Sequence, residues 1–213
     1  MIRFLKKHSF GIVLLILVGV AIYLYIDTHG RRRAIAGIGD PVQKEASGTA
    51  SFKISNYTVN VEYLYSYDIS GLVVSACDYT SNKHSGKFMP VDIGLAWGKV
   101  AEYNLDVDFK WEQRNRCLIF TLTDEVLKKL DENYVITHCS NNHLITPTKA
   151  LKKKARKIKK GDHVRIRGYL VTYSAVSTDG TTINGSSSTV RDDTSADGTA
   201  CEIIYVTDIS WVK

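Results

Sequence analysis

The sequence has little proline and none of the short motifs that mark the common enzyme classes. Only 3 of its 213 residues are proline, whereas 44% are hydrophobic and 12 are tyrosine, a composition typical of a globular, strand-rich protein. It contains no G-x-S-x-G, no phosphate-binding loop and no G-x-G-x-x-G, and no nucleophile stands in a recognisable pattern with a base. We therefore expect a protein that is not an enzyme and uses no cofactor, and we assign no catalytic residue.

Acidic residues are missing from one strongly basic segment. The net charge is +6, and the segment from Lys149 to Lys160 carries 8 Lys or Arg and no Asp or Glu. Removing these eight charges from +6 leaves −2, so the rest of the chain is not basic and general affinity for nucleic acid is not expected. The segment predicts a helix with one narrow apolar stripe, formed by Leu151, Ala155 and Ile158.

This basic helix has three interpretations. It could be a solvated helix that covers one end of the domain, a surface for anionic lipid headgroups, or a contact for nucleic-acid phosphates. The first is favoured, and nucleic acid is the least expected partner. The candidate binding residues on the helix are Lys152, Lys153 and Lys154.

A run of 17 residues without a charge, Phe10 to Ile26, lies near the amino terminus. A membrane-spanning helix needs roughly 17–25 apolar residues, so we expect a transmembrane anchor at residues 10–26. The alternative is a cleaved signal peptide, because Ala34 to Gly37 resembles a cleavage site. However, the run is long for a signal peptide, and Arg31 to Arg33 lie between it and that site.

The anchor divides the chain into four parts. We expect a cytoplasmic amino terminus at residues 1–9, the anchor at 10–26, a linker at 27–50 and a single β-rich domain at 51–213. Positive charges flank the anchor on both sides, so the positive-inside rule is nearly balanced. By analogy with bacterial envelope proteins, we expect a single-pass inner-membrane protein whose carboxy-terminal domain lies in the periplasm.

The segment Lys160 to Val171 predicts the central strand of that domain. Gly161-Asp162 is a turn signal, after which apolar residues alternate with Arg165, Arg167 and Tyr169. Gly168 inside the strand indicates a bulge or a sharp bend. We expect a mainly β fold, a curved antiparallel sheet forming an OB-like barrel or a sandwich, with one or two short helices and a preceding transmembrane helix.

Other segments add strands and a helix. We expect strands at 57–67, 69–77, 107–111, 117–122, 134–138 and 201–211, with a polar turn at 112–116. The segment 91–98 is mostly apolar and contains two glycines. Thr123 is expected to cap a short helix, and Thr146 to cap the basic helix with Pro147 at its first position. The polar stretch from Ser174 to Thr199 is expected to form a long hairpin excursion or a flexible loop.

The segment His138-Cys139-Ser-Asn-Asn-His143 contains possible metal ligands. Two histidines and a cysteine could bind zinc or copper, with Asp92 or His84 as a fourth ligand. The alternative, which we favour, is that the histidines bond to backbone groups and shape a turn. The four cysteines could form two disulfides outside the cytoplasm, with three possible connectivities, or could remain as buried thiols.

Four motifs occur in order: Pro90-Val-Asp-x-x-Leu-x-Trp97-Gly98, His138-x-x-Asn141-x-His143, Gly161-Asp-x-Val-Arg-x-Arg-Gly168-Tyr-Leu-Val and Gly198-x-Ala-Cys201-Glu202. In these motifs the chain resembles an uncharacterised group of bacterial proteins with an amino-terminal anchor and one extracytoplasmic domain. The resemblance implies a bacterial origin and supports the anchor, but it implies no activity. Two departures are the long insert near Thr178 to Asp197 and Cys139, where a small hydroxyl residue is expected.

These observations lead to three functional hypotheses. The first is a membrane-anchored, non-enzymatic binding or assembly domain of the bacterial envelope, with a protein or lipid partner. The second is a cytoplasm-facing OB-like module for nucleic acid or phosphate. The third is a metal protein or enzyme that uses the His138 to His143 cluster. Structural or binding importance is expected at Trp97, Gly98, Asn141, Gly161, Asp162, Arg165, Arg167 and Gly168.

Overall fold

The computed structural model of the chain describes residues 2–29, 32–187 and 201–213. Its first element is the helix α1, Ile2–His29, whose side chains are described from Gly11 to Tyr25. Large apolar side chains along α1 are exposed, for example Leu15 at 74%. Among the residues described in this way, no helix is both long and apolar enough to cross a membrane. The predicted amino-terminal helix is present, and its membrane span stays a prediction.

The described part of the chain is mainly β, as the sequence predicts. The strands are β1 Val42–Glu45, β2 Thr49–Ile54, β3 Tyr57–Asp78, β4 Val91–Ala96, β5 Glu112–Arg114, β6 Cys117–Ile119, β7 Cys139–Ile145, β8 His163–Ser177, β9 Thr182–Ser186 and β10 Cys201–Trp211. The short helices are α2 Gly98–Glu102, α3 Asp124–Leu127, α4 Glu132–Thr137 and α5 Lys149–Ala155. A single turn of 3-10 helix spans Ser85–Lys87.

Five strands form a closed ring. Strand β3 pairs with β4, β4 with β7, β7 with β10, β10 with β8, and β8 returns to β3. The β7–β10 pair is parallel, and the other four pairs are antiparallel. The strands must curve strongly for so small a ring to close, because each strand has to pair on both sides.

Gly168 lies beside one irregularity of the ring. The pairing of β8 with β10 shifts between Val206 and Asp208, so the extra residue is Thr207 of β10 and not Gly168 itself. A Cβ atom at Gly168 would lie 2.1 Å from the carbonyl oxygen of Tyr205. Only glycine lets the two backbones approach this closely, so the sequence fixes the position of this close approach.

The main hydrophobic core contains side chains from all five ring strands, including Ile69, Leu95, Leu144, Ile166 and Ile204. The predicted apolar stripe of the basic helix joins this core through its buried members Ala155 and Ile158. Removing such apolar surface from water contributes about 25 cal/mol per Å². The helix α5 is therefore held to the ring by its apolar side chains.

A second core lies where four strands extend past the ring. The first half of β3 pairs with β2 on one side and with the second half of β8 on the other, and β8 also pairs with β9. We call β2, this half of β3, this half of β8 and β9 the four-stranded extension. The side chains of its core include Tyr57, Val59, Phe88 and Tyr173, and Phe88 contacts both tyrosine rings edge-on.

Several predicted boundaries are wrong. The predicted linker at 27–50 contains β1, the start of β2 and the buried Ile38. The predicted strand at 134–138 lies mostly in the helix α4, and the strand begins at Cys139. The segment 107–111 contains no strand, and the two strands predicted at 57–67 and 69–77 are one continuous strand. Periodicity alone could not separate these cases, because short apolar runs fit a helix or a strand.

The predictions for the helix caps and for the polar stretch after Ser174 are partly confirmed and partly wrong. Thr123 caps α3 by accepting a hydrogen bond from the Val126 amide, as predicted. The basic helix is capped by Thr148, not Thr146, and it ends at Ala155 rather than near Gly161. The polar stretch after Ser174 begins as a hairpin between β8 and β9. The rest of that stretch, from 188 to 200, lies outside the described residues.

Candidate functional site

Two of the sequence motifs meet on adjacent strands. In the β4–β7 pair, Asp92 lies opposite His143 and Gly94 lies opposite Asn141. Because side chains alternate along a strand, these four residues share the face opposite Ile93 and Leu95, which belong to the main core. We call this surface the covered face, since the hairpin formed by β5 and β6 lies over it.

Glycine at position 94 allows this hairpin to approach. A Cβ atom there would lie 2.6 Å from a methyl carbon of Leu118 on β6. Atoms cannot come so close, so a larger residue at this position would require the Leu118 side chain to move. The hairpin therefore packs directly on the strand, with Leu118 over Gly94.

Asp92 is fully buried at the covered face and is paired with Arg116 of the hairpin turn. The Nη2 and Nε atoms of Arg116 donate to the two carboxylate oxygens at 2.6 and 3.0 Å. Arg116 also donates to Ser85 Oγ at 2.8 Å and to the carbonyl oxygen of Met89 at 3.1 Å. Its guanidinium lies 4.5 Å from the centre of the Tyr79 ring. A planar, bidentate pair of this kind gives both charge compensation and fixed geometry.

The polar residues of β7 complete the arrangement. His143 Nδ1 lies 2.9 Å from Asp92 Oδ1, but the contact lacks the alignment of a hydrogen bond. Asn141 donates to the carbonyl oxygen of Arg116 at 2.8 Å and accepts from Gln113 of β5 at 2.6 Å. The Asp92 carboxylate and the Asn141 amide therefore find their partners inside the protein, whereas Gln113 Oε1 and His143 Nδ1 are buried without a hydrogen-bond partner among the described residues. The bonds of Asp92 and Asn141 are those of a structural site.

The three residues of the metal hypothesis do not converge. The ring of His138 stacks on Tyr134 with 3.7 Å between centroids, whereas His143 contacts Asp92. The thiol of Cys139 donates to the carbonyl oxygen of Val135 at 3.3 Å, and burial raises its pKa to about 12. Within residues 2–29, 32–187 and 201–213, no group of three or more His, Cys, Asp or Glu is placed to hold a metal ion.

The two proposed fourth ligands lie in different environments. Asp92 meets one of the histidines, as described above. His84 instead shares a hydrogen bond with the hydroxyl of Tyr57 at 3.2 Å. The structure thus connects the aspartate with His143 through the β4–β7 pairing, and it does so without His138 or Cys139.

Trp97 and Gly98 follow β4 and join it to α2. Trp97 is 4% exposed, and its ring nitrogen donates to Asp40 Oδ1 at 3.1 Å. His138 approaches the same carboxylate, with 3.6 Å between Nε2 and Oδ1. The Gly98 amide donates to the carbonyl oxygen of Ile38 at 2.9 Å. Both residues therefore fasten the segment before β1 onto the domain.

Gly161 and Asp162 form the predicted turn before β8. The Gly161 amide donates to the carbonyl oxygen of Val73 at 2.8 Å. Asp162 Oδ2 accepts from the Lys159 amide at 3.0 Å and from the Trp211 ring nitrogen at 2.8 Å. The turn thus connects β3, β8 and the end of β10.

The arginines of β8 pair with one aspartate on β3. Arg165 donates to the two oxygens of Asp68 at 2.7 and 2.6 Å, and Arg167 approaches at 3.4 Å. The hydrogen bond from Arg165 is the main cause that lowers the pKa of Asp68. Two of the candidate binding residues are therefore engaged within the sheet.

The basic helix α5 has a mixture of engaged and exposed lysines. Lys152 donates to the carbonyl oxygen of Lys87 at 3.2 Å, and Lys154 donates to that of Ile209 at 3.0 Å. Lys153 is exposed. The interpretation as a helix that covers one end of the domain accounts for these contacts.

Sequence reasoning did not identify Arg116 as a functional or structural residue. Arg116 lies in a segment that the sequence marks only as a polar turn. Asn115 and Arg116 form the two-residue loop between β5 and β6, and both have positive φ angles, 52° and 66°, as a type I′ hairpin turn requires. Such turns are usually signalled by Asn-Gly or Asp-Gly, and arginine in place of glycine hides the signal. Recognising their partners requires the pairing of β4 with β7 and β10.

A groove of about 760 Å³ crosses the four-stranded extension. Uncharged polar side chains form much of its wall, together with one acid: Thr49, Ser51, Asn60, Glu62, Thr172, Ser174, Asn184 and Ser186. In contrast to the covered face, residues such as Asn60 and Asn184 are exposed to solvent. The groove is thus a solvent-exposed surface whose wall combines small hydroxyl and amide side chains with apolar groups.

Comparison with known proteins adds no relative, because no protein family, curated protein sequence or solved structure matches this chain.

Proposed function

We propose that the protein is a membrane-anchored, non-enzymatic binding domain of the bacterial envelope. Its domain is OB-like and lies in the periplasm, and its partner is another envelope protein that binds in the groove of the four-stranded extension. One observation carries this proposal: the domain buries its covered face under its own hairpin and leaves the groove open.

The strand order supports the OB-like description. OB domains are five-stranded barrels with Greek-key connections. The ring here uses β3, β4, β7, β8 and β10 in chain order, pairs the third of these with the fifth in parallel, and pairs the fourth with the first. The helix α5 lies between the third and fourth ring strands in the chain. A fold alone assigns no function, so the functional argument rests on the two surfaces.

The covered face argues against the nucleic-acid alternative. OB domains bind oligonucleotides on the face of their second and third strands, which correspond to β4 and β7. Here that face holds the Asp92–Arg116 pair beneath the hairpin. A nucleic acid would have to displace the hairpin and leave a buried carboxylate facing its phosphates. The partner is therefore sought at the groove, where exposed amides and hydroxyls suit the polar groups of a protein surface.

The anchor is supported by the amino-terminal segment. Phe10 to Ile26 contains no charged residue, and the described side chains of α1 expose their apolar groups. An apolar surface of this kind requires a membrane or another protein to cover it. A membrane segment accounts for it within this single chain.

The location can be tested with fusions after Lys213. Alkaline phosphatase and green fluorescent protein would be attached separately and expressed in a bacterium. We expect active phosphatase and a dark fluorophore, together with recovery of the full chain in the membrane fraction. A fluorescent fusion with inactive phosphatase would contradict the periplasmic location, and recovery in the aqueous fraction would contradict the anchor.

Binding in the groove can be tested by placing a photo-crosslinking amino acid at Asn60 of the full chain. The control is the same amino acid at Lys128, which is exposed and lies outside the groove. We expect a discrete crosslinked protein band at Asn60 and none at Lys128. Equal crosslinking at the two positions, or none at Asn60, would contradict the assignment of the groove.

A further inference from the structure

Cys117 and Cys201 lie on different elements and meet at one end of the covered face. Cys117 begins β6 of the hairpin, and Cys201 begins β10 of the ring. The Cys117 thiol is close enough to Cys201 to contribute, after burial, to the raised pKa of Cys201. The Cys201 sulfur also lies 4.0 Å from the carbonyl oxygen of Arg116, the residue before Cys117. Tertiary structure thus brings together two thiols that are far apart in the chain.

Asn141 holds this contact in place. It is the residue opposite Cys201 in the parallel β7–β10 pair. Its Nδ2 atom donates to the Cys201 sulfur at 3.4 Å and to the Arg116 carbonyl oxygen at 2.8 Å. The Asn141 amide therefore binds both the ring strand and the hairpin. It holds Cys201 beside the hairpin residue that precedes Cys117.

Neither Cys117 nor Cys201 is a fully buried residue. Both are partly exposed, whereas Cys139 is buried. All four cysteines, including Cys77, carry thiols in the structure. Of these, the pair Cys117 and Cys201 combines proximity with partial exposure.

We propose that Cys117 and Cys201 are oxidised to a disulfide that fastens the β5–β6 hairpin onto the ring and keeps the covered face closed. This inference goes beyond the proposed function, because it assigns a covalent modification. The modification would also explain why the hairpin stays closed over the covered face. It requires neither the groove nor its partner.

The oxidant belongs to the class of disulfide compounds. Cys117 loses its proton and attacks one sulfur of the oxidant, whose S–S bond breaks and whose leaving thiolate takes up a proton. Cys201 then loses its proton and attacks the Cys117 sulfur of this mixed disulfide, releasing the second oxidant thiol. Two protein thiols are oxidised, and one external disulfide is reduced to two thiols.

Burial affects the rate of this exchange. It raises the pKa of the Cys201 thiol to about 12, so little thiolate is present at neutral pH, and the thiolate is the attacking species. We expect the disulfide to form faster as the pH rises from 7 to 9. The bonds of Asn141, however, keep Cys201 beside the residue that precedes Cys117, and this proximity favours closure over a lasting mixed disulfide.

The test uses the full chain in detergent, oxidised with glutathione disulfide and mapped by mass spectrometry after proteolysis. We expect a linked pair of peptides that contain Cys117 and Cys201. Cys117→Ser or Cys201→Ser should abolish the bridge, and the control Cys77→Ser should retain it. Circular dichroism would establish that the three variants keep the β structure of the parent chain.

Comparing the rate of bridge formation in folded and unfolded chain shows whether the fold favours this pair or the thiols oxidise nonspecifically. Because the fold holds Cys201 beside the residue that precedes Cys117, we expect the bridge to form at least about tenfold faster in the folded chain than in 8 M urea. Equal rates, a bridge from Cys77 or Cys139 in the parent chain, or persistent thiols at both positions would overturn the proposal.

The same bridge can be read in cells after rapid alkylation of thiols. Oxidised Cys117 and Cys201 would agree with a periplasmic domain, since disulfides persist there and are rare in the cytoplasm. If the bridge forms with purified chain but the cysteines are reduced in cells, the periplasmic location fails and the disulfide proposal stands. The two proposals can thus fail separately.

Discussion

Asp92 places a fully buried charge at the covered face. It is fully buried, and its two oxygens accept from Arg116, whose side chain is 20% exposed. Removing one member of a buried ion pair leaves the other charge without compensation in a poorly solvated place. Loss of the Asp92 carboxylate is therefore expected to destabilise the fold strongly, although the ion pair itself need not add net stability.

We predict that Asp92→Asn lowers the free energy of unfolding by about 3–5 kcal/mol, the range found when one partner of a buried pair is removed. The matched control is Asp106→Asn, which breaks a 3.0 Å contact with Lys129 between side chains about half exposed. That change should cost less than about 1 kcal/mol. Urea unfolding of the full chain measures both, and similar losses for the two variants would contradict the prediction.

At the scale of elements, the pair of strands β3 and β8 carries a charge contact that should respond to acid. The hydrogen bond from Arg165 lowers the pKa of Asp68 below its ordinary 3.8. A lowered pKa means that the contact stabilises the fold above pH 3.8, and that this contribution is lost as the pH falls through the lower pKa of the folded state.

We therefore predict that Asp68→Asn destabilises the protein by a constant amount between pH 5 and 8. The difference from the parent chain should shrink below about pH 3.8, where the native carboxylate itself becomes protonated. The side chains of Asp68 and Arg165 are 29% and 44% exposed, so the difference should not exceed about 1 kcal/mol. Thermal unfolding as a function of pH measures it, and a difference that grows in acid would contradict the prediction.

The helix α5 gives the second prediction at this scale. Ala155 and Ile158 attach its segment to the core, so charge on its other faces is not needed for folding. We predict that changing Lys152, Lys153 and Lys154 together to Gln costs less than about 2 kcal/mol. Most of this cost should come from Lys154, which loses its bonds to Ile209 and Asp208.

Single variants separate these contributions in urea unfolding. Lys153→Gln is the control, because this side chain is exposed, and it should change the free energy of unfolding by less than about 0.5 kcal/mol. Lys154→Gln should cost more than Lys153→Gln. The interpretation as a covering helix would fail if the triple variant did not fold, or if Lys153→Gln were the most damaging single change.

At the scale of the whole molecule, one surface of the sheet is covered by the hairpin and another is exposed to solvent. The hairpin closes the face of β4 and β7 through Arg116 and Leu118. The extension of β3 and β8 beyond the ring creates a groove on another part of the molecule. The length of β3, Tyr57–Asp78, makes this possible, because one strand takes part in both the ring and the extension.

Local sequence patterns were sufficient to predict the mainly β class, the alternating strands that begin near Tyr57 and Val164, an irregularity beside Gly168 and the apolar stripe of the basic helix. These features depend on the local alternation of side chains, on the missing Cβ of glycine and on helical spacing. The sequence also pointed to Asp92, Asn141 and His143 through their motifs, but it could not tell that they share one face.

Tertiary structure alone decided which residues meet. The helix at 132–137 replaced a predicted strand because its Asp131 cap and packing outweighed weak local preferences. His138 and His143 separated because α4 ends and β7 begins between them. Arg116 reached Asp92, and Cys117 reached Cys201, only because strand pairing brought distant segments together. Such contacts depend on the closure of the ring, and no local pattern encodes them.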